Sequence, residues 1–336
     1  MSRITVFVGL DYHQDSVQVC VMNRAGSVLA NRRCANRWTA IRTVVRRRSC
    51  RVRAAIEACS GAAELADELV SRAGWSVDLA HPGYVARMKQ SPDKTDFSDA
   101  RMLADLERVG YLPRVWLAPH PIRELRRLVR FRQQMADQRR SCKLRIRALL
   151  RDGRVKLAGV KAWTVAWMQW LRTTREVSEQ TRWILDRQLA HLQYCSSEIR
   201  SVEKRLGELT ADDPVVEKLL GLAGVGLVTA VTLRAEIGRF DRFRNGKQLA
   251  RFCGLSPRNA SSGQRQADAG LIKAGNRQLR AVLIELAHRL PRCDVRWARL
   301  NIQLRAAGKP GSVAAAAVAN RWVRWLYHQM QTVQAA

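Results

Sequence analysis

The sequence predicts a mixed α/β domain at the N-terminus, a long helical middle and a mainly α C-terminal domain. Three observations carry this: a β-rich opening, apolar residues at helical spacing from about residue 118, and helical segments punctuated by glycine after Pro214. A chain of 336 residues is too long for one core of usual size. The expected boundaries are 1–117, 118–214 and 215–336.

Residues 4–12 (ITVFVGLDY) are β-rich and apolar, 16–23 alternate in part, RAG makes a turn, and 27–34 follow. This predicts a three-stranded antiparallel meander. Residues 36–48 predict a helix with Trp38, Ile41 and Val45 on one side. Residues 51–59 predict a short strand ending in an acid, and 61–74 a helix closed by Gly74. Residues 76–82 predict a strand stopped by Pro82, and helix then runs on through Asp96 and Asp99. By analogy of element order, strands and helices in this succession are those of the ribonuclease-H-like fold.

From Pro119 to Gly153, and again over 174–214, the pattern is helical. Ile184, Leu189, Leu192, Ile199, Val202, Leu206 and Leu209 form an apolar stripe in the second segment. The pair predicts a helical hairpin or coiled-coil connector. Two helices packed on the domain itself are the alternative. The chain then ends in an Ala-rich, Trp-bearing helix.

Charge narrows the class of partner. There are 59 Lys and Arg against 29 Asp and Glu, a formal +30, and Arg dominates because only ten of the cations are Lys. A planar guanidinium grips phosphate and stacks on bases, so a nucleic acid is favoured over a membrane surface. No apolar run reaches membrane-spanning length, and no secretion signal is evident. Eight scattered cysteines without a Cys-x-x-Cys pair argue against zinc or a disulfide framework. A cytoplasmic protein, nucleoid-associated when acting, is expected.

The chemistry-bearing residues start with acids. Asp11 ends the first strand and Glu57 the later strand AAIEA, while Asp96 and Asp99 sit in KTDFSDA at a helix start. If the two strands are parallel neighbours, both acids emerge at one sheet edge. Four converging carboxylates demand divalent cations, and oxygen ligands suit Mg²⁺. The plainer readings are a turn residue for Asp11, a strand-end charge for Glu57, an N-cap for Asp96 and a dipole partner for Asp99.

Gly224-Val225-Gly226 between two helical segments looks like a helix-hairpin-helix that presents amides to phosphate, or a tight turn with no ligand. Residues 254–266 (GLSPRNASSGQRQ) read as a loop, with Ser261 and Ser262 flanked by Arg258 and Arg265. A serine amid arginines can attack phosphate, although a loop serine is usually only that. Lys273, Arg277 and Arg280 surround a helix start, as phosphate contacts or as a solvated basic face.

Taken together, GLD (9–11), IEACSG (56–61), KTDFSDAR (94–101), GLAGVGLVTA (221–230), FRNGKQLARFCGLSPRNASSG (243–263) and KAGNRQLR (273–280) resemble the DEDD transposases of bacterial insertion sequences, the insertion-sequence one-ten family of bridge-RNA-guided recombinases. The resemblance spans nearly the whole chain. It implies a RuvC-like N-terminal domain, a helical connector and a C-terminal transposase domain. It implies Asp11, Glu57, Asp96 and Asp99 as a Mg²⁺-binding tetrad and Ser262 as nucleophile, with Ser261 the neighbouring candidate. It also implies a covalent serine–phosphate intermediate and an active site assembled from different subunits of a dimer that builds a tetramer. The implied partners are an element-encoded RNA and both target and donor DNA. The chain departs from the pattern at YHQDS after Asp11 and at Ile272 before Lys273. A metal-dependent junction endonuclease acting through water is the rival expectation.

Overall fold

The computed structural model describes residues 5–45, 51–88, 95–155, 159–259 and 268–331. The chain divides into two compact units, Met1–Ala118 and Pro119–Ala336.

The first unit is built on one sheet. Its strands are β1 (Thr5–Tyr12), β2 (Ser16–Met22), β3 (Val28–Ala35), β4 (Arg51–Glu57), β5 (Ser76–Ala80) and β6 (Arg114–Val115), and its helices are α1 (Trp38–Val45), α2 (Ala62–Ala73), α3 (Pro82–Met88) and α4 (Asp96–Arg108). The strand order is β3-β2-β1-β4-β5-β6. β1 to β3 form the antiparallel meander, β4 joins β1 in parallel and β5 joins β4 in parallel. The two-residue β6 pairs antiparallel to β5 and carries no sequence signal of its own. Residues three apart cannot separate a kinked helix from two helices, and the helix expected through Asp96 and Asp99 is in fact two, α3 and α4.

Strand alternation distributes the core over both faces. Val6, Val8 and Leu10 of β1 join Val17, Val19, Ile41, Val52, Ile56, Leu65 and Leu69 under α1 and α2. Phe7 of β1 packs instead with Cys20, Met22, Ala100 and Ala104, so α4 covers the opposite face. Gly9 shares that face. A Cβ there would lie 1.8 Å from the Ala100 carbonyl oxygen and 2.5 Å from the Ala104 nitrogen. The helix backbone therefore rests directly on the strand, and only glycine permits this approach.

The far end of α4 is tied electrostatically. Glu107, 1% exposed, accepts from Arg53 of β4 and Arg114 of β6. One buried carboxylate with two guanidinium partners is adequately neutralised.

The second unit is mostly helical: α5 (His120–Asp152), α6 (Val165–Thr173), α7 (Glu179–Leu209), α8 (Pro214–Leu220), α9 (Leu227–Ile237), α10 (Gly246–Phe252), α11 (Arg277–Cys293), α12 (Val295–Ala306) and α13 (Gly311–Met330). A small hairpin, β7 (Pro257–Asn259) with β8 (Asp268–Leu271), interrupts it. The segment read as a plain loop over 254–266 thus contains a strand.

The long helices α5 and α7 pack along each other. Leu125 and Val129 of α5 and Val202 and Leu206 of α7 belong to the same core as α8 to α11 and α13. A second cluster, Ile146, Leu150, Trp167, Leu171, Leu185 and Leu189, gathers around α6. The pattern gave no sign of α6, and the second long helix starts at Glu179, capped by Ser178, rather than at 174. The buried stripe of α7 runs through Leu185 and Cys195, while Ile184 and Leu209 face solvent.

Candidate functional site

Asp11 follows Gly9 by two residues and so faces α4. The parallel register pairs Leu10 with Ile56, and one step further along each strand stand Asp11 and Glu57. Ala55, two residues before Glu57, packs with Leu103 of α4, so Glu57 shares α4's face of the sheet.

Helix α4 begins where this edge ends. Thr95, not Asp96, is its N-cap: the hydroxyl accepts from the Ser98 N–H at 3.2 Å, and the Ser98 hydroxyl accepts from the Thr95 N–H at 3.3 Å. This reciprocal box caps the helix through Thr95 and Ser98, and both aspartates stand in its first turn. Asp99 is buried at 9% exposure.

His13, which carries no sequence signal of its own, stands between two of these acids. Its Nε2 lies 3.3 Å from Asp11 Oδ2 and 3.3 Å from Asp96 Oδ2. Donor atoms of Asp11, His13 and Asp96 all lie within 4.8 Å of one another. Burial raises the Asp11 pKa above its ordinary value, His13 counters that, and the charges of Asp96 and Asp99 push it up further. Asp11 and Glu57 also both raise the Cys59 thiol, whose own burial is the larger cause.

The donor set fits a divalent cation. Clustered carboxylate oxygens repel, and the charges of Asp96 and Asp99 add to the burial that already raises the Asp11 pKa. A cation is what relieves it. Among the described residues, Asp11, His13 and Asp96 are the ones whose donor atoms lie close enough together to share it.

The C-terminal candidates are organised by a backbone-to-backbone contact within the second unit. A Cβ on Gly275 would lie 2.2 Å from the Gly254 Cα, and Gly254 itself has φ +70°. GLSPR and KAGNR are therefore locked face to face. The Asn276 N–H donates to Phe252 O at 2.8 Å and the Ile272 N–H to Ser256 O at 3.0 Å. Pro257 pairs with Leu271 and Asn259 with Asp268. This ladder joins the two ends of 260–267. Ser261, Ser262 and Gly263 lie outside the described residues.

Asn276 does two further jobs. Its side-chain oxygen caps α11 by accepting from Gln278 and Leu279 N–H, and its amide donates to Glu236 at 2.8 Å. Glu236, 2% exposed, also accepts from Arg130 at 2.9 Å. Arg280, expected on a basic face, is instead a brace whose Nη1 donates to Ile272 O at 2.8 Å. Arg258, Lys273 and Arg277 are exposed, with no ion-pair partner among the described residues.

Gly224 has φ +80° in the turn between α8 and α9, and Gly226 precedes the first residue of α9. The two helices and glycine turn fall where the sequence puts them. α9 itself is buried on every side, so its N-terminal edge is what this motif leaves accessible.

A six-stranded mixed sheet with acids on β1, β4 and α4 is compatible with a nuclease-like domain of the DEDD kind, which defines the class: enzymes of DNA strand cleavage and joining. The comparisons agree. Residues 8–153 match the DEDD-type IS110 model described as "Transposase", and residues 216–303 match "Transposase IS116/IS110/IS902 family". The transposase for insertion sequence element IS1328 of Yersinia enterocolitica is 25% identical over 343 residues, 99% of each chain. The transposase for insertion sequence element IS1111A of Coxiella burnetii is 26% identical over 288 residues, 85% of this chain and 78% of that one. A Sinorhizobium fredii protein named as a transposase is 30% identical over 226 residues, 65% of this chain, but the match spans only 54% of its own length. The chain belongs to the IS110 family of transposases.

Proposed function

We propose that this chain cuts and rejoins DNA to mobilise an insertion sequence, guided by a structured RNA made by the same element. The reading rests above all on the acids of β1, β4 and α4 gathering at one sheet edge. Its guidance by RNA rests on the sequence resemblance and on a surplus of 30 positive charges.

In this reading Asp11, Glu57, Asp96 and Asp99 hold Mg²⁺. When bound, the metal supplies charge neutralisation and polarisation at the scissile phosphate. Ser262 attacks the phosphorus through Oγ. The Oγ–P bond forms as the bond from phosphorus to a deoxyribose oxygen breaks; the serine loses its proton and the departing oxygen gains one. The phosphoserine conserves the bond energy, so rejoining by a DNA hydroxyl needs no ATP. The β7–β8 ladder and the Gly254–Gly275 contact support a fixed stem for this loop. Arg258, Lys273 and Arg277 serve as phosphate clamps, and the Gly224–Gly226 turn as a backbone contact. The paired helices α5 and α7 act as a coiled-coil connector through which copies assemble.

The test is a trapping assay with a labelled DNA junction, the element's RNA and Mg²⁺. An adduct that survives denaturation in the parent, and is missing from Ser262→Ala and Asp11→Ala, supports the reading. Nicked DNA without adduct, still made by Ser262→Ala, replaces it with a junction endonuclease.

A further inference from the structure

We propose that His13 is a direct ligand of the catalytic cation, giving this chain a mixed nitrogen and oxygen donor set that favours Mn²⁺ and Co²⁺ over Mg²⁺. The inference rests on the metal-site reading above and adds a donor outside the four acids.

Three observations carry it. First, Nε2 of His13 contacts both acids at once, at 3.3 Å from Asp11 Oδ2 and 3.3 Å from Asp96 Oδ2. An ion with bonds of about 2.1 Å sets adjacent ligand atoms roughly 3 Å apart. The spacing is therefore that of neighbouring corners of one coordination shell. Second, the turn that carries His13 is fixed. Its N–H donates to Ser16 O at 2.9 Å, and the Asn36 amide donates to His13 O at 2.9 Å and to Gln14 O at 3.1 Å. Third, the ring is 45% exposed, so packing does not account for its orientation. It turns toward the acids instead.

The consequence follows from donor chemistry. Carboxylate oxygens suit Mg²⁺ and Mn²⁺ alike, whereas an imidazole nitrogen strengthens binding of the later transition ions. Mg²⁺ gains little from nitrogen and holds its waters tightly.

The experiment titrates divalent ions into the full chain, parent against His13→Ala, His13→Gln and Asp11→Ala. Mn²⁺ is followed by loss of the free-ion paramagnetic resonance signal, and Mg²⁺ by competition. The parent is expected to bind Mn²⁺ about tenfold or more tightly than His13→Ala, with Mg²⁺ affinity changed less than about twofold. Pulsed resonance of bound Mn²⁺ is expected to show a nitrogen coupling, shifted by ¹⁵N-histidine labelling and absent from His13→Ala. Equal Mn²⁺ affinity in parent and His13→Ala, or an unlabelled-nitrogen spectrum identical in both, would overturn the assignment. So would tighter binding of both ions by His13→Ala, which would make His13 the cation's competitor. If no form binds either ion, Asp11→Ala included, the metal-site reading itself fails. If the parent binds and only Asp11→Ala loses binding, the acids stand and His13 does not.

Discussion

Asp11 carries a charge that the metal-free fold disfavours. Burial raises its pKa, with further pushes from Asp96 and Asp99, while His13 pulls the other way. The folded state thus binds the Asp11 proton more tightly than the unfolded chain does. The stability Asp11 contributes is fully present below the ordinary carboxylate pKa of 3.8 and is lost as pH rises through the raised folded value. At neutral pH without metal, Asp11→Asn is expected to raise the melting temperature, and the gain should vanish as pH falls below about 4. Added divalent ion should reverse the ranking. At a hundredfold excess over its Kd, a ligand that binds only the folded state stabilises it by about 2.7 kcal/mol, and Asp11→Asn should lose most of that. Thermal melts of both proteins with chelator and with Mn²⁺ check both signs. His13 marks the limit of legibility at this scale. A histidine two residues past a strand has no periodicity to betray it, and only the turn geometry brings it against Asp96, which lies 83 positions further on by its numbering.

Elements decide whether the acids meet at all. Helix α4 lies on β1 at the width of a glycine, so Gly9→Ala must push its backbone away. The expected cost is about 1–3 kcal/mol, as for overpacked cores, together with weakened divalent binding because Asp96 and Asp99 retreat from Asp11. Denaturant unfolding and an ion titration on the same variant separate the two effects. In the second unit Asn276→Ala should cost about 2–4 kcal/mol, from a lost N-cap and a Glu236 left one donor short. The meander and the acids were legible because alternation and paired carboxylates are local signals. The β7–β8 hairpin was not, since a three-residue strand has no period and its pairing depends on Gly254 meeting Gly275. Glu107 and Glu236 were hidden for the same reason: their guanidinium partners stand 54 and 106 positions away in Arg53 and Arg130. Helix α6 leaves no long periodic signal, since it is short and its apolar Trp167 and Leu171 pack on residues of α5 and α7.

Over the whole molecule the surplus of 30 positive charges sets the terms of encounter with nucleic acid. Each phosphate that a cation neutralises releases counterion, so affinity for duplex DNA should fall with log salt at a slope of about −0.9 per contact. Arg258, Lys273 and Arg277 are exposed and lack ion-pair partners among the described residues, which leaves them available for phosphate. Arg53 and Arg114 pair instead with Glu107, and Arg130 with Glu236, so part of the charge of those arginines is already balanced by a carboxylate. The triple variant Arg258→Ala, Lys273→Ala, Arg277→Ala is therefore expected to reduce the salt slope by about 2–3 while leaving the melting temperature nearly unchanged, because exposed cations contribute little to stability. Fluorescence anisotropy with a labelled duplex from 50 to 300 mM salt reads the slope. An unchanged slope would remove these three residues from the phosphate contacts and direct attention to the arginines of α5. A slope reduced along with a lowered melting temperature would instead mean that they support the hairpin stem.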